Sequence, residues 1–217
     1  MTRQNPINWN IAAYFPKEAD WIRNSVAVNG SSIYFATKSG IVYLFDAEKE
    51  TMSTVGKICE YSNYASLVIV DNILYIHKCK FFYSFDGNSI QELATPDVRY
   101  DAGLFRFGEN VCRVGGNMTD LYPDPVYCFD GKNRTWTVVN HINEARLKPG
   151  IVATESGTYI YGGKALYYSG EFPSFWRGTV EVFNYKTKLW NIVSSLFDTP
   201  LEYPQAVIFY FLNVKNK

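Results

Sequence analysis

The chain has 217 residues, 47% hydrophobic and 17% aromatic, with 21 basic and 21 acidic side chains. Balanced charge without a block of one sign argues against nucleic acid or an anionic membrane as partner, because both select basic surfaces. Seventeen Tyr, fifteen Phe and five Trp favour half-buried pleated strands over helices.

The opening residues, Met1 to Pro6, are polar and contain no secretory apolar core. The next segment, Asn8-Trp9-Asn10-Ile11, matches the later Thr135-Trp136-Thr137-Val138, so an orphan strand is expected over about 5–14.

Four similar units follow. The first unit predicts a strand at Val26–Val28, a hairpin turn at Asn29-Gly30, and a strand at Ile33–Ala36. It continues through the short loop Lys38–Gly40 to Ile41–Phe45, ends that strand on Asp46, and places Met52 in the next one. The second unit repeats the order: Leu67–Val70, the Asp71-Asn72 turn, Ile73–His77, the loop Lys78–Lys80, Phe81–Phe85 with Asp86, then Ile90. The third runs from Leu104–Phe107 through Gly108–Asn110 to Val111–Val114, then Gly115-Gly116. A long loop, Asn117 to Pro125, leads to Val126–Phe129 with Asp130, and Trp136 follows six residues later. The fourth runs from Ile151–Ala153 through Glu155–Gly157 to Thr158–Tyr161, then Gly162-Gly163. Its loop spans Lys164 to Gly178 and leads to Val180–Phe183 with Asn184; Trp190 again lies six residues on. After Trp190, Gln205–Phe211 sits where a fifth unit's first strand is due, giving a second orphan strand over about 205–214. The longest apolar run there, Ala206 to Leu212, is far too short to cross a bilayer.

Four short strands per unit at a period of roughly 37 to 47 residues is an all-β repeat reading. No long stretch of 3.6-residue periodicity calls for a helix. The pattern resembles the kelch repeat: a double Gly ending strand two, an aromatic-Asp pair ending strand three, and a Trp opening strand four. Gly115, Gly116, Phe129, Asp130 and Trp136 match in full; Gly162, Gly163, Phe183 and Trp190 match with Asn184 for Asp. The first two units keep Phe45-Asp46 and Phe85-Asp86 but carry Thr37-Lys38 and Lys78-Cys79 in place of the glycines. The resemblance implies one kelch-type β-propeller domain over 1–217, with blades at about 20–58, 62–95, 99–142 and 146–196. Kelch domains commonly close a ring of about six blades. An open partial ring, or a fragment of a longer protein, is therefore favoured over a small closed ring.

The glycines, Asp130 and the tryptophans have structural work to do. Gly permits close approach of a neighbouring chain, Asp or Asn bonds the amides of the following turn, and Trp buries a large area between sheets. Function is expected on the loops. The links between blades contain Arg23, Tyr64, Arg99, Tyr100 and Arg146, of the residue types enriched at binding hot spots. For the arginines the alternative role is framework pairing with neighbouring blades. The long fourth loop adds Phe175, Trp176 and Arg177, either as a contact site or as a loop folded on its own blade.

Chemistry is thin. His77 and His141 are the only histidines, too few for a metal site of several fixed ligands. Neither a G-x-S-x-G elbow nor a phosphate loop occurs, and Asp120 and Asp124 read as solvated loop carboxylates. Cys59, Cys79, Cys112 and Cys128 have no CxxC pairing and no shared spacing, so free, mostly buried thiols in a cytoplasmic protein are expected. The expected function is a protein-interaction module that binds another protein, without catalysis or cofactor. The resemblance implies substrate recognition in a cullin-type ubiquitin ligase, or actin binding, as family roles. A metal-dependent propeller enzyme and a truncated propeller without independent function are the alternatives.

Overall fold

The computed structural model describes residues 21–60, 62–116, 124–165 and 175–195. The expected orphan strands at 5–14 and 205–214 lie outside these residues. Within them the chain is all-β, without a helix, and makes four four-stranded antiparallel sheets whose strands follow chain order. Sheet one holds β1 (Trp21–Asn29), β2 (Ser32–Thr37), β3 (Ile41–Asp46) and β4 (Thr51–Lys57). Sheet two holds β5 (Ala65–Val70), β6 (Ile73–Lys78), β7 (Phe81–Phe85) and β8 (Ile90–Leu93). Sheet three holds β9 (Gly103–Phe107), β10 (Asn110–Val114), β11 (Asp124–Asp130) and β12 (Thr135–Ile142). Sheet four holds β13 (Gly150–Ala153), β14 (Gly157–Tyr161), β17 (Thr179–Asn184) and β18 (Leu189–Ser195). A small hairpin, β15 (Lys164–Ala165) with β16 (Phe175–Trp176), interrupts sheet four between its second and third strands.

The sheets stack in series. The first strands lie side by side in the order β1, β5, β9, β13, a propeller-like arrangement. Each neighbouring pair of sheets shares one core. Ala27, Ala36 and Val42 of sheet one meet Leu74, Ile76 and Phe85 of sheet two. Tyr75 and Phe82 of sheet two meet Leu104, Val111 and Phe129 of sheet three. Phe105, Cys112 and Cys128 of sheet three meet Ile160, Phe183 and Trp190 of sheet four. Consecutive strand residues point to opposite faces, so a sheet packed on both faces needs apolar residues at most positions, not only at alternate ones. Hence β5 reads Ala-Ser-Leu-Val-Ile-Val and β6 reads Ile-Leu-Tyr-Ile-His-Lys, with no polar alternation.

The same register recurs in all four sheets. Phe45 faces Met52, Phe85 faces Ile90, Phe129 faces Trp136 and Phe183 faces Trp190 across strands three and four. The turn between those strands is closed identically. One side-chain oxygen of Asp46, Asp86, Asp130 or Asn184 accepts the amides two and three residues on, at 2.8–3.2 Å. The short side chain thus replaces backbone partners that a four-residue turn cannot supply.

The double glycine is where the link entering the next sheet crosses strand two. Gly116 has φ +77°, its amide donates to the Arg146 carbonyl at 2.9 Å, and a Cβ there would lie 2.6 Å from the Ala102 Cβ. Sheet two has Cys79 at this position, held at φ +56°, a conformation that costs an L-residue about 1–2 kcal/mol.

The cysteines are not free, contrary to the sequence expectation: Cys59 is bonded to Cys79 and Cys112 to Cys128. Chain separations of 20 and 16 residues hide both contacts. Antiparallel register sets Cys112 directly opposite Cys128. Cys59, just beyond β4, reaches Cys79 because sheet one stacks on the turn between β6 and β7. Among the described residues no helix is long and apolar enough to cross a membrane.

Candidate functional site

Two places gather functional chemistry: the cavity along the first strands, and the links between sheets. The cavity measures about 780 Å³ and is lined by β1, β5, β9 and β13. Val26 and Val28 present exposed apolar surface to it, at 46% and 55%. Its polar mouth has Asn29 donating to the Asn72 side-chain oxygen at 3.1 Å, and Arg106 3.8 Å from Asp71.

The links are built on buried arginines. Arg99, 1% exposed, donates to the Gly115 carbonyl at 3.1 Å, to Asp124 at 2.7 Å and to Asp97 at 2.9 Å. Arg113 forms a close ion pair with the same Asp97. Both guanidiniums lie over the Tyr127 ring, at 5.1 and 5.6 Å, a placement that suits the negative face of the ring. Arg146, also 1% exposed, repeats the pattern one sheet later: it donates to the Gly162 carbonyl at 3.1 Å and to Glu181 at 2.7 Å. Glu181 accepts in addition the amides of Asn143 and Glu144, at 2.7 and 3.1 Å. Each arginine therefore pins one link to the double glycine and third strand of its own sheet.

This geometry corrects part of the expected contact set. Arg99 and Arg146 are buried framework residues, as is Tyr64, 4% exposed, whose hydroxyl donates to the Pro149 carbonyl at 3.0 Å. No partner reaches them while the links keep this conformation. Asp124 is likewise not solvated: it opens β11 and is fully buried against Arg99. Asp120 lies outside the described residues, as do the side chains of Arg23, Phe175 and Trp176. Arg177 is partly buried, 3.6 Å from Glu144. Tyr100 stays exposed, at 41%, beside Val98 at 65%. Sequence reasoning passed over Val98, and no sequence signal marks it, because burial of the adjacent Arg99 shows only in the structure.

The segment 97–101 alternates strictly. Asp97 and Arg99 turn inward to the ion pairs, and Asp101 bonds the Ser62 hydroxyl at 2.6 Å. Val98 and Tyr100 turn outward. The backbone is tied at both neighbours of the turn: the Tyr100 amide donates to the Gly116 carbonyl at 3.0 Å and the Asp101 amide to the Cys79 carbonyl at 3.3 Å. Two exposed side chains thus stand on a fixed base.

Burial shifts the ionisable groups beneath it. Asp124 is pushed up to about 6 by burial, against the pull of Arg99. His77 is pushed down to about 3, first by burial and then by the charges of Arg113 and Arg99. Lys78 is lowered to about 8 by burial; its amine donates to the Ser62 carbonyl at 3.0 Å and the Lys38 carbonyl at 3.3 Å. Neither ring nitrogen of His77 has a partner among the described residues. His77 therefore folds neutral and binds fewer protons than in the unfolded chain. Its contribution is intact above its ordinary value of 6.5 and is lost as pH falls toward 3. A His77→Leu variant is expected to gain on the wild type by about 1.4 kcal/mol per pH unit below about pH 6. Asp124 works in the opposite sense but is common to both proteins. Urea unfolding at pH 7, 5 and 4 reads the difference; parallel curves would mean that His77 is hydrated or hydrogen-bonded.

Among the described residues, no three His, Cys, Asp or Glu side chains are grouped so as to hold a metal ion. No protein-family model matches the chain, and no curated protein sequence matches it. Among solved structures 459 chains match, so the arrangement is a recurrent one. One of them, described as the structure of YjhT, superposes with a TM-score of 0.67 at 13% identity, over 87% of this chain and 68% of that one. At that identity the likeness speaks for the fold alone.

Proposed function

We propose that this chain is a kelch-type propeller, its four sheets being blades of an incomplete ring, and that it serves as a protein-interaction module. The contact surface is the end that carries the links, centred on Val98 and Tyr100. The observation that carries this reading is the in-out alternation of 97–101: two exposed side chains, Val98 and Tyr100, on a base fixed by ion pairs to the buried Arg99 and Arg113. Rigid presentation lowers the ordering cost of association, and a tyrosine supplies contact area with few rotamers to freeze. The repeat register and the closed Asp and Asn turns support the kelch assignment.

The test pairs Val98→Asp with Tyr100→Ala in one variant. Neither side chain supports the core, so the melting temperature is expected to stay close to that of the wild type. Proteins captured specifically by the immobilised wild-type chain are expected to be lost from the variant. Retention of the same proteins by a folded variant would place the contact surface elsewhere.

A further inference from the structure

We infer that Cys59–Cys79 is a redox-cleavable latch on the link end of the stack, opened by a dithiol reductant while Cys112–Cys128 stays closed. The two disulfides occupy different environments. Cys112 and Cys128 are 0% and 2% exposed, inside the core shared by sheets three and four. Cys59 is half-buried on the segment leaving β4, and Cys79 is 9% exposed. Exchange needs a thiolate to reach a sulfur, and Cys59 is the most exposed of the four cysteines.

The latch sits where two links meet the turn between β2 and β3 of sheet one. The Cys79 carbonyl accepts the Asp101 amide at 3.3 Å, from the link that carries Val98 and Tyr100. The neighbouring Lys78 amine holds the Lys38 and Ser62 carbonyls, from the turn of sheet one and the link into sheet two. Cys59, at the exit of sheet one, is tied covalently to Cys79 in the turn between β6 and β7. Sheets three and four have Gly116 and Gly163 at the Cys79 position, with φ +77° and +83°. A cysteine at φ +56° is disfavoured there, and the covalent tie opposes its relaxation. Burial already lowers the proton affinity of Lys78, so a loosened turn that lets the amine reach water is favoured once the tie is gone.

The step is ordinary exchange. A thiolate of the dithiol attacks Cys59 Sγ, the Sγ–Sγ bond breaks, and Cys79 leaves as a thiolate that takes up a proton. The second thiol of the reductant, deprotonated, displaces Cys59, which is protonated in turn. The reductant becomes its cyclic disulfide, and the protein gains two electrons and two protons. Opening frees the base of 97–101. Its bearing on partner binding rests on the function proposed above, whereas the readouts below need no partner.

The full-length chain, purified without reductant, is treated with dithiothreitol under native conditions, alkylated and mapped by mass spectrometry, with amide exchange followed in parallel. Alkylation is expected at Cys59 and Cys79 alone, with faster exchange at Gly40, Tyr100 and Asp101 and a melting temperature lower by roughly 5–10 °C. A Cys59→Ser, Cys79→Gly variant, which gives position 79 the residue type of sheets three and four, is expected to fold and to ignore the reductant. Resistance of both pairs, simultaneous opening of both, alkylation before reductant is added, or opening without faster exchange would each overturn the inference. So would a reductant response that persists in the variant.

Discussion

Glu181→Ala is expected to destabilise the chain by about 3–5 kcal/mol, the range for removing one partner of a buried ion pair. Glu181 and Arg146 are both fully buried at the side chain. The carboxylate accepts from Arg146 at 2.7 Å, from the Asn143 amide and side chain at 2.7 and 2.8 Å, and from the Glu144 amide at 3.1 Å. Alanine would leave a buried guanidinium short of charge compensation and two amides without acceptors, each of which carries its own desolvation cost. Combining it with Arg146→Met removes the stranded charge and is expected to recover part of the loss, though not the part owed to the amides. Asp124→Asn in sheet three is the milder counterpart. Asp124 accepts from Arg99 alone among the described bonds, and its other oxygen has no partner there. Thermal or urea unfolding checks the order. A loss below about 1 kcal/mol for Glu181→Ala would show that water or Glu144 already compensates Arg146.

Trp190→Ala is expected to cost about 3–5 kcal/mol as well, as a large-to-small change in a core. Trp190 is 6% exposed, lies 5.1 Å from the Phe183 ring and meets Phe105 of the neighbouring sheet edge-on at 6.0 Å. Trp136→Ala should cost less although it occupies the same register. Trp136 is only half-buried, and its ring nitrogen donates to the Ala94 carbonyl at 2.8 Å near solvent. Equal losses for the two variants would mean that Trp190 is no more tightly enclosed than Trp136.

The register of Trp136 and Trp190 was legible because it depends on local chemistry: a fixed turn, closed by an Asp or Asn side chain, sets the number of residues to the facing position. The strands Leu67–Val70 and Ile73–His77 were legible from their apolar runs and the Asp71-Asn72 turn between them. Long-range partners were not. Arg99 finds its acid 25 residues away and Arg146 finds Glu181 35 residues away, so no common spacing announces the pairing, and an arginine in a link looks like a surface group. The cysteines fail for the same reason: one pair forms across a hairpin with a long loop, the other between two sheets. Tyr64 looked like a contact residue because its hydroxyl partner, at Pro149, lies 85 residues on. Tyr100 could be picked as an aromatic in a link, but its outward direction follows only from knowing that Arg99 points in.

Stacking of consecutive sheets through their aromatic residues is tested most directly by a double-mutant cycle between Phe105 of sheet three and Trp190 of sheet four. Phe105→Leu and Trp190→Ala, alone and together, are compared by urea unfolding. Rings in edge-on contact at 6.0 Å predict a coupling of about 0.5–1.5 kcal/mol. Additivity within about 0.3 kcal/mol would contradict the packing of one sheet against the next.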